Sequence, residues 1–114
     1  MGASFAMEFL EGNLYKVTLK GTLDAPGAMA IEEQFQAMLR GRKDRVIIDL
    51  ASMDYMSSYG LRMLLLAAKS LHEAGGGLFL SGPNPYVMEV IRLAGYDTMF
   101  PVYDTVDDAI DDLT

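Results

Sequence analysis

The sequence predicts an α/β protein in which a mixed sheet of about five strands is flanked by about four helices. Three observations support this prediction. Extended and helical patterns alternate along the 114 residues, short continuous apolar runs are typical of strands buried on both faces, and a tight turn joins the first two strands. The predicted order is β-β-α-β-α-β-α-β-α, and strands joined through a helix are expected to be parallel.

The first two strands form a predicted hairpin. The runs Glu8–Glu11 and Leu14–Lys20 flank Gly12-Asn13, a pair that is typical of hairpin turns. In the second run apolar and polar side chains alternate, which is the period of a sheet with one wet face. We expect Gly21 to end this strand.

A helix and a buried strand are predicted next. Asp24 followed by Pro26 resembles a helix start, apolar residues recur at helical spacing as far as Leu39, and Gly41 supplies the stop. The run Arg45–Leu50 then has the continuous apolar centre of a strand covered on both faces, and a short polar loop is expected to follow it.

The carboxyl half repeats the pattern of strand and helix. A strand is predicted at Leu78–Leu80, a helix from Asn84 to Gly95, a short strand at Met99–Tyr103 and a last helix opened by Asp104. The chain has no linker, repeat or low-complexity stretch, so we expect residues 1–114 to form a single domain.

Composition narrows the possible functions. Hydrophobic residues make up 51% of the chain and charged residues 22%, which suits a packed core. No apolar run approaches the roughly 18 residues of a membrane span, and the amino terminus does not resemble a secretion signal, so we expect a cytoplasmic protein with no membrane partner. The net charge of −7 argues against nucleic acid as a partner.

The sequence lacks the residues of common catalytic centres. It has no cysteine and one histidine, His72, which is expected to lie half-buried on the core side of its helix. This excludes thiol catalysis and a nitrogen–sulfur metal site. Ser58 has Met56 where a hydrolase elbow needs glycine, and no second histidine is available as its base. We therefore expect no catalytic centre of these kinds, no metal and no cofactor, although the residues alone leave open an oxygen-only magnesium site that no cation-loop pattern supports.

The most informative stretch is Asp49–Leu65, where two serines stand at the start of the second long helix. Ser57 is expected to cap this helix, which leaves Ser58 unexplained. With Leu61 at the centre of the buried stripe, a step of 100° per residue places five residues on the opposite face: Tyr59, Arg62, Met63, Leu66 and Ser70. An exposed apolar cluster beside a free hydroxyl favours a partner-binding patch, and on the residues alone an ordinary surface is an equal alternative.

Three stretches resemble the STAS domain family, specifically the bacterial anti-sigma factor antagonists. Gly21–Ala25 resembles the family's Gly-x-Leu-Asp-Ala segment. Asp49–Leu61 is similar to its strand–loop–helix signature, in which a serine pair or Asp-Ser precedes the Gly-Leu step. Gly82–Pro101 resembles its carboxyl half. The resemblance extends over nearly the whole chain.

The resemblance implies a binding module that phosphorylation switches. In the family, a partner kinase that is also the anti-sigma factor phosphorylates the serine two residues before the signature glycine. That position is Ser58, and Ser57 is the less favoured acceptor. A serine phosphatase is a further candidate partner, and ATP and magnesium would belong to the kinase. The residues expected to contact the kinase are Asp24, Tyr59, Arg62, Met63 and Leu66.

Three points stay open at this stage. Asp24 is explained equally well as the cap of the first helix, and it shares an edge with Ser58 only if the neighbouring strands are parallel. A STAS module that acts as a scaffold or sensor without phosphorylation is an alternative function. A nucleotide- or small-ligand-binding module is another.

Overall fold

The computed structural model describes residues 2–114 and contains five strands and four helices. In chain order these are β1 Ala3–Glu11, β2 Leu14–Leu23, α1 Ala25–Leu39, β3 Arg45–Met56, α2 Ser58–Glu73, β4 Gly77–Ser81, α3 Pro85–Leu93, β5 Val102–Tyr103 and α4 Val106–Leu113. A single 3₁₀ turn, Tyr96–Thr98, lies between α3 and β5. No helix in this described part of the chain is both long and apolar enough to cross a bilayer.

The five strands form one mixed sheet whose spatial order is β1-β2-β3-β4-β5. The hairpin strands β1 and β2 are antiparallel, and every later pair is parallel because a helix crosses between the strands. Gly12 adopts a positive φ of 56° in the hairpin turn, as the Gly-Asn pair predicts. The predicted fold class and element order are confirmed.

Four strands are longer than predicted, including β4, which spans Gly77–Ser81 instead of Leu78–Leu80. β1 begins at Ala3 instead of Glu8, β2 continues past Lys20 to Leu23, and β3 continues past Leu50 to Met56. The prediction that Gly21 ends β2 is wrong. Its φ is 95°, and a Cβ there would lie 2.2 Å from the carbonyl oxygen of Gly2, so the glycine permits the close approach of the chain's start.

The predicted polar loop after Leu50 is therefore a continuation of β3. Lys20 pairs with Ser52 and Leu23 with Met56, after shifts in register that bend the two strands together. Met53 and Met56 are buried, whereas Asp54 and Tyr55 between them are exposed. Because only some side chains of this stretch are buried, it lacks the continuous apolar run that marks the start of β3.

The last elements are also shifted slightly. The predicted strand Met99–Tyr103 is reduced to its final two residues, because the chain from Met99 to Pro101 is still leaving the 3₁₀ turn that ends at Thr98. The final helix starts after Thr105, whose Oγ1 accepts from the amide of Asp108 at 3.0 Å. Asp104, the predicted start, lies outside the helix.

The core lies on both faces of the sheet, as the apolar run in β3 predicts. Val46 and Ile48 belong to the larger core, which α1, α2 and α3 cover. Ile47 points the other way and packs with Leu14 and Ala109 of α4. All three β3 side chains are fully buried. By area, burying one such side chain stabilises the fold by about 1.5–3 kcal/mol.

One edge of the sheet collects three helix starts. The helices α1, α2 and α3 each begin directly after a parallel strand, and each is capped by a polar side chain: Asp24, Ser57 and Asn84, respectively. Parallel strands end at the same edge, so these three caps lie along it. We call this the carboxyl edge of the sheet, and it positions the candidate site.

Candidate functional site

Ser57 is the structural serine of the pair at the start of α2. Its backbone amide and its hydroxyl donate to the carbonyl oxygen of Leu23, at 3.0 and 3.1 Å. The same hydroxyl accepts from the amide of Gly60 at 3.3 Å, as the predicted helix cap. The donor of this hydroxyl and one of its two acceptor positions are therefore directed into the fold.

Ser58 is the accessible serine. It is the first residue of α2, it is exposed, and its hydroxyl has no hydrogen-bond partner among residues 2–114. At this position the unpaired amides of the first turn and the helix dipole favour a negative charge. The two neighbouring serines therefore differ in their contacts: the Ser57 hydroxyl is hydrogen-bonded within the fold, and the Ser58 hydroxyl is exposed.

Gly60 holds the first turn of α2 close to the end of β2. A Cβ on Gly60 would lie 2.7 Å from Leu23 Cδ2 and 2.9 Å from the Leu23 carbonyl oxygen. Leu23 is fully buried, and its carbonyl is fixed by Ser57. The glycine two positions after Ser58 is therefore a packing requirement that sets where Ser58 sits.

Asp24 lies on the same edge as Ser58, because β2 and β3 are parallel and Leu23 pairs with Met56. The strands are thus parallel, which is the condition under which Asp24 and Ser58 share an edge. The Asp24 carboxylate accepts from the amide of Gly27 at 2.8 Å and so caps α1. No hydrogen bond joins Asp24 to Ser58 in the described chain, so the cap role is observed and direct orientation of the Ser58 hydroxyl is not.

The outer face of α2 is smaller than predicted. Arg62 is exposed and Leu66 is 39% exposed, but Met63 is fully buried and Tyr59 is half-buried against the core. The prediction of an exposed Met63 is wrong, and so is the prediction of an exposed Tyr59.

The neighbouring helix explains the error. Gln36 of α1 donates its amide to the carbonyl oxygen of Met63 at 2.9 Å, and the Tyr59 hydroxyl lies 3.5 Å from Glu32 Oε1. The helix α2 therefore packs against both the sheet and α1, which widens its buried stripe beyond a single line of residues. His72, predicted half-buried on the core side, is exposed in the last turn.

A pair of tyrosines on the carboxyl edge was not predicted. Tyr55, near the end of β3, stacks on Tyr86 in the first turn of α3, with ring centroids 5.6 Å apart and planes at 24°. The rings are 38% and 53% exposed. Loss of water and the Tyr55 hydroxyl nearby raise the pKa of Tyr86. Both supporting elements are fixed, because Asn84 caps α3 and donates to the Met53 carbonyl oxygen at 3.1 Å.

The sequence contained one signal for this pair. The apolar residues Met53 and Met56 flank the polar pair Asp54-Tyr55, and this spacing fits an irregular strand as well as the predicted loop. Without the strand, nothing placed Tyr55 beside Tyr86, 31 residues later in the sequence. The stacked rings add an exposed aromatic surface to the edge that carries Ser58.

The sheet order and the three capped helix starts define a single-sheet α/β domain with an exposed serine at the start of α2. The STAS domain family model matches residues 4–109, and the chain belongs to this family. It resembles BtrV of Bordetella bronchiseptica, described as a candidate anti-sigma factor antagonist, with 36% identity over 96 residues, 84% of this chain and 82% of BtrV.

Three solved structures share the fold closely. An anti-sigma factor antagonist from Mycobacterium paratuberculosis has 26% identity and a TM-score of 0.83, with 96% of this chain and 92% of that chain covered. Unphosphorylated SpoIIAA has 21% identity and a TM-score of 0.77, with 96% of each chain covered. The phosphorylated form of SpoIIAA, a Bacillus protein, has 21% identity and a TM-score of 0.72, with 97% of this chain and all of that chain covered. The family is that of the anti-sigma factor antagonists, as the sequence resemblance implied.

Proposed function

We propose that this chain is an anti-sigma factor antagonist whose binding to a kinase ends when Ser58 is phosphorylated. In its unmodified state it binds a serine kinase that is also an anti-sigma factor, and the sigma factor is released. One observation carries the proposal. The Ser58 hydroxyl is exposed at the start of α2, while the neighbouring Ser57 hydroxyl is held by Leu23 and Gly60.

The physical effect of the modification falls on the interface. A phosphoserine adds about −1.5 to −2 charges at neutral pH. Within the domain this charge lies at a helix amino terminus, where it is favourable. Against a docked partner the same dianion must lose water, and a loss of about 3 kcal/mol would weaken binding about a hundredfold.

The proposed contact surface is the carboxyl edge around Ser58. Arg62 and Leu66 are the exposed α2 residues that extend it along the helix, and Asp24 borders it at the start of α1. Tyr59 contributes only its exposed rim. Met63 has no part in the surface, because it is fully buried.

The chain acts in this proposal as a single cytoplasmic binding module and kinase substrate, not as an enzyme. ATP and magnesium are bound by the kinase, which supplies the phosphate-binding machinery. A serine phosphatase returns Ser58 to the unmodified state. SpoIIAA, a protein of the same fold, exists in unphosphorylated and phosphorylated forms, which supports a switch of this kind.

The test uses the purified chain, ATP and a serine kinase isolated by its binding to the unmodified chain. Mass spectrometry should locate one phosphate on Ser58, and Ser58→Ala should take up none while still binding the kinase. The matched control is Ser57→Ala. It loses a helix cap and about 1 kcal/mol of stability, but it keeps the Ser58 hydroxyl that accepts the phosphate. Phosphate on Ser57, or undiminished uptake by Ser58→Ala, contradicts the proposal.

A further inference from the structure

A cavity lies at the other end of α2 from Ser58. It is bounded by the last turns of α2, the start of β4 and the segment before β5, and its volume is about 570 Å³. Ligand pockets in proteins commonly enclose about 300–1,000 Å³. Ser58 and His72 are 14 positions apart on one helix, about 21 Å at 1.5 Å per residue. The cavity is therefore separate from the proposed kinase surface.

The walls of the cavity are mostly apolar. Three elements each contribute a pair of apolar residues to the lining: Leu65 and Ala68 from α2, Leu78 and Phe79 from β4, and Met99 and Phe100 from the segment before β5. The remaining wall between α2 and β4 is formed by Gly76 and Gly77, which add no side chains to fill the space. This lining suits the apolar body of a small molecule.

The polar side chains that line the cavity are Lys69 and His72. They are three positions apart on α2 and so lie on the same side of the helix. Both are exposed, and neither forms an ion pair or a side-chain hydrogen bond within residues 2–114. No aspartate or glutamate from that described range lines the cavity, although the whole chain carries a net charge of −7.

The backbone carbonyl groups at the end of α2 are bonded to other amides and do not accept from Lys69 or His72. The amides of Gly75 and Gly76 donate to the carbonyl oxygens of His72 and Leu71, which satisfies the carbonyls at the end of α2. Lys69 and His72 are therefore available to a ligand. An ammonium group and an imidazole N–H are both donors, and together they match a carboxylate.

We propose that this cavity binds a small organic acid, with its carboxylate held by Lys69 and His72 and its apolar body between α2 and the segment Met99–Phe100. The charge pattern commits the site to an anion, since the formal charge in the lining is the ammonium of Lys69 and no carboxylate of the described residues lines the cavity to attract a cation. The apolar walls favour an alkyl or aromatic acid over a purely polar one such as oxalate. A ligand here leaves Ser58 accessible.

The probe is octanoate, followed by ¹⁵N–¹H NMR during titration of the ¹⁵N-labelled chain. We expect saturable shifts confined to amides near residues 65–79 and 99–100. Octanol and octylamine have the same alkyl length without the carboxylate, and each should bind at least tenfold more weakly. The double variant Lys69→Glu with His72→Glu should also lose at least tenfold in octanoate affinity, whereas Lys20→Glu, an exposed charge reversal on β2, should bind like the wild type.

Three results would overturn the proposal. Shifts that do not saturate, or that spread over the surface, indicate no defined site. Equal binding of octanol or octylamine removes the role of the carboxylate. Unchanged affinity in the double variant removes Lys69 and His72 from the site. None of these outcomes depends on the kinase, so the phosphorylation proposal and this one can fail separately.

Discussion

The carbonyl oxygen of Leu23 accepts two hydrogen bonds from Ser57, one from its backbone amide at 3.0 Å and one from its hydroxyl at 3.1 Å. This pair of bonds ties the end of β2 to the start of α2. It also fixes the orientation of the next residue, so that the exposed hydroxyl of Ser58 projects from a rigid support. The effects of substitutions around Ser58 follow from this arrangement.

Ser58→Asp should bind the kinase about tenfold more weakly, which corresponds to about 1.4 kcal/mol, and should unfold at nearly the same urea concentration as the wild type. A negative charge at the helix start is favourable by about 0.3–1 kcal/mol within the fold, whereas at the interface it must lose its water. Calorimetric binding and urea unfolding measure the two effects separately. Normal binding, or a binding loss equalled by lost stability, would show that the interface mechanism is wrong.

Met63→Glu and Leu66→Glu form a matched pair on α2. Met63 is fully buried between the sheet and α1, so a carboxylate there should destabilise the fold by about 3 kcal/mol or more. Leu66 is 39% exposed, and its replacement should change stability by less than about 0.5 kcal/mol while weakening kinase binding. Thermal unfolding distinguishes them. Equal melting temperatures would contradict the packing of α2 on α1.

The stacked tyrosines should contribute to kinase binding. Aromatic side chains that are rigid and partly exposed are common binding hot spots, so replacing both Tyr55 and Tyr86 with serine should weaken binding about tenfold. The control is Phe9→Ser, because Phe9 is 57% exposed and also contacts a tyrosine, Tyr15, but lies on β1. If the control loses as much affinity as the double variant, the tyrosine pair has no special role.

Gly60→Ala should destabilise the domain by about 1–3 kcal/mol, although alanine favours helices, because its Cβ would meet the Leu23 side chain and carbonyl. Gly2→Ala is the matched control, since a Cβ there has no neighbour within 4 Å. Chemical denaturation gives both values. A Gly60→Ala variant as stable as Gly2→Ala would show that the contact with Leu23 relaxes without cost.

The order of elements could be predicted from the sequence because each depends on local chemistry. The apolar centre of β3 and the caps Asp24, Ser57 and Asn84 are local signals, and all four are found where expected. Ser57 as the cap also left Ser58 as the free serine. The accessible hydroxyl at the start of α2 could therefore be predicted without knowledge of the tertiary structure.

The errors arose where distant segments meet. The exposure of Met63 depends on α1 lying beside α2, and a single helical stripe cannot reveal a second packing partner. The extension of β3 to Met56 depends on pairing with the end of β2, and the stacking of Tyr55 on Tyr86 follows from that extension. Periodicity within one segment carries no information about such contacts.

The spatial order of the strands is also their order along the chain. A ribosome releases the amino-terminal hairpin first, and each later strand then adds to an edge that is already formed. No strand has to be inserted between two earlier neighbours, so productive pairing never waits for a segment still to be synthesised. The residues that hold Ser58, namely Leu23, Ser57 and Gly60, all precede Leu61, and its surroundings can therefore assemble while α3 and α4 are still being made.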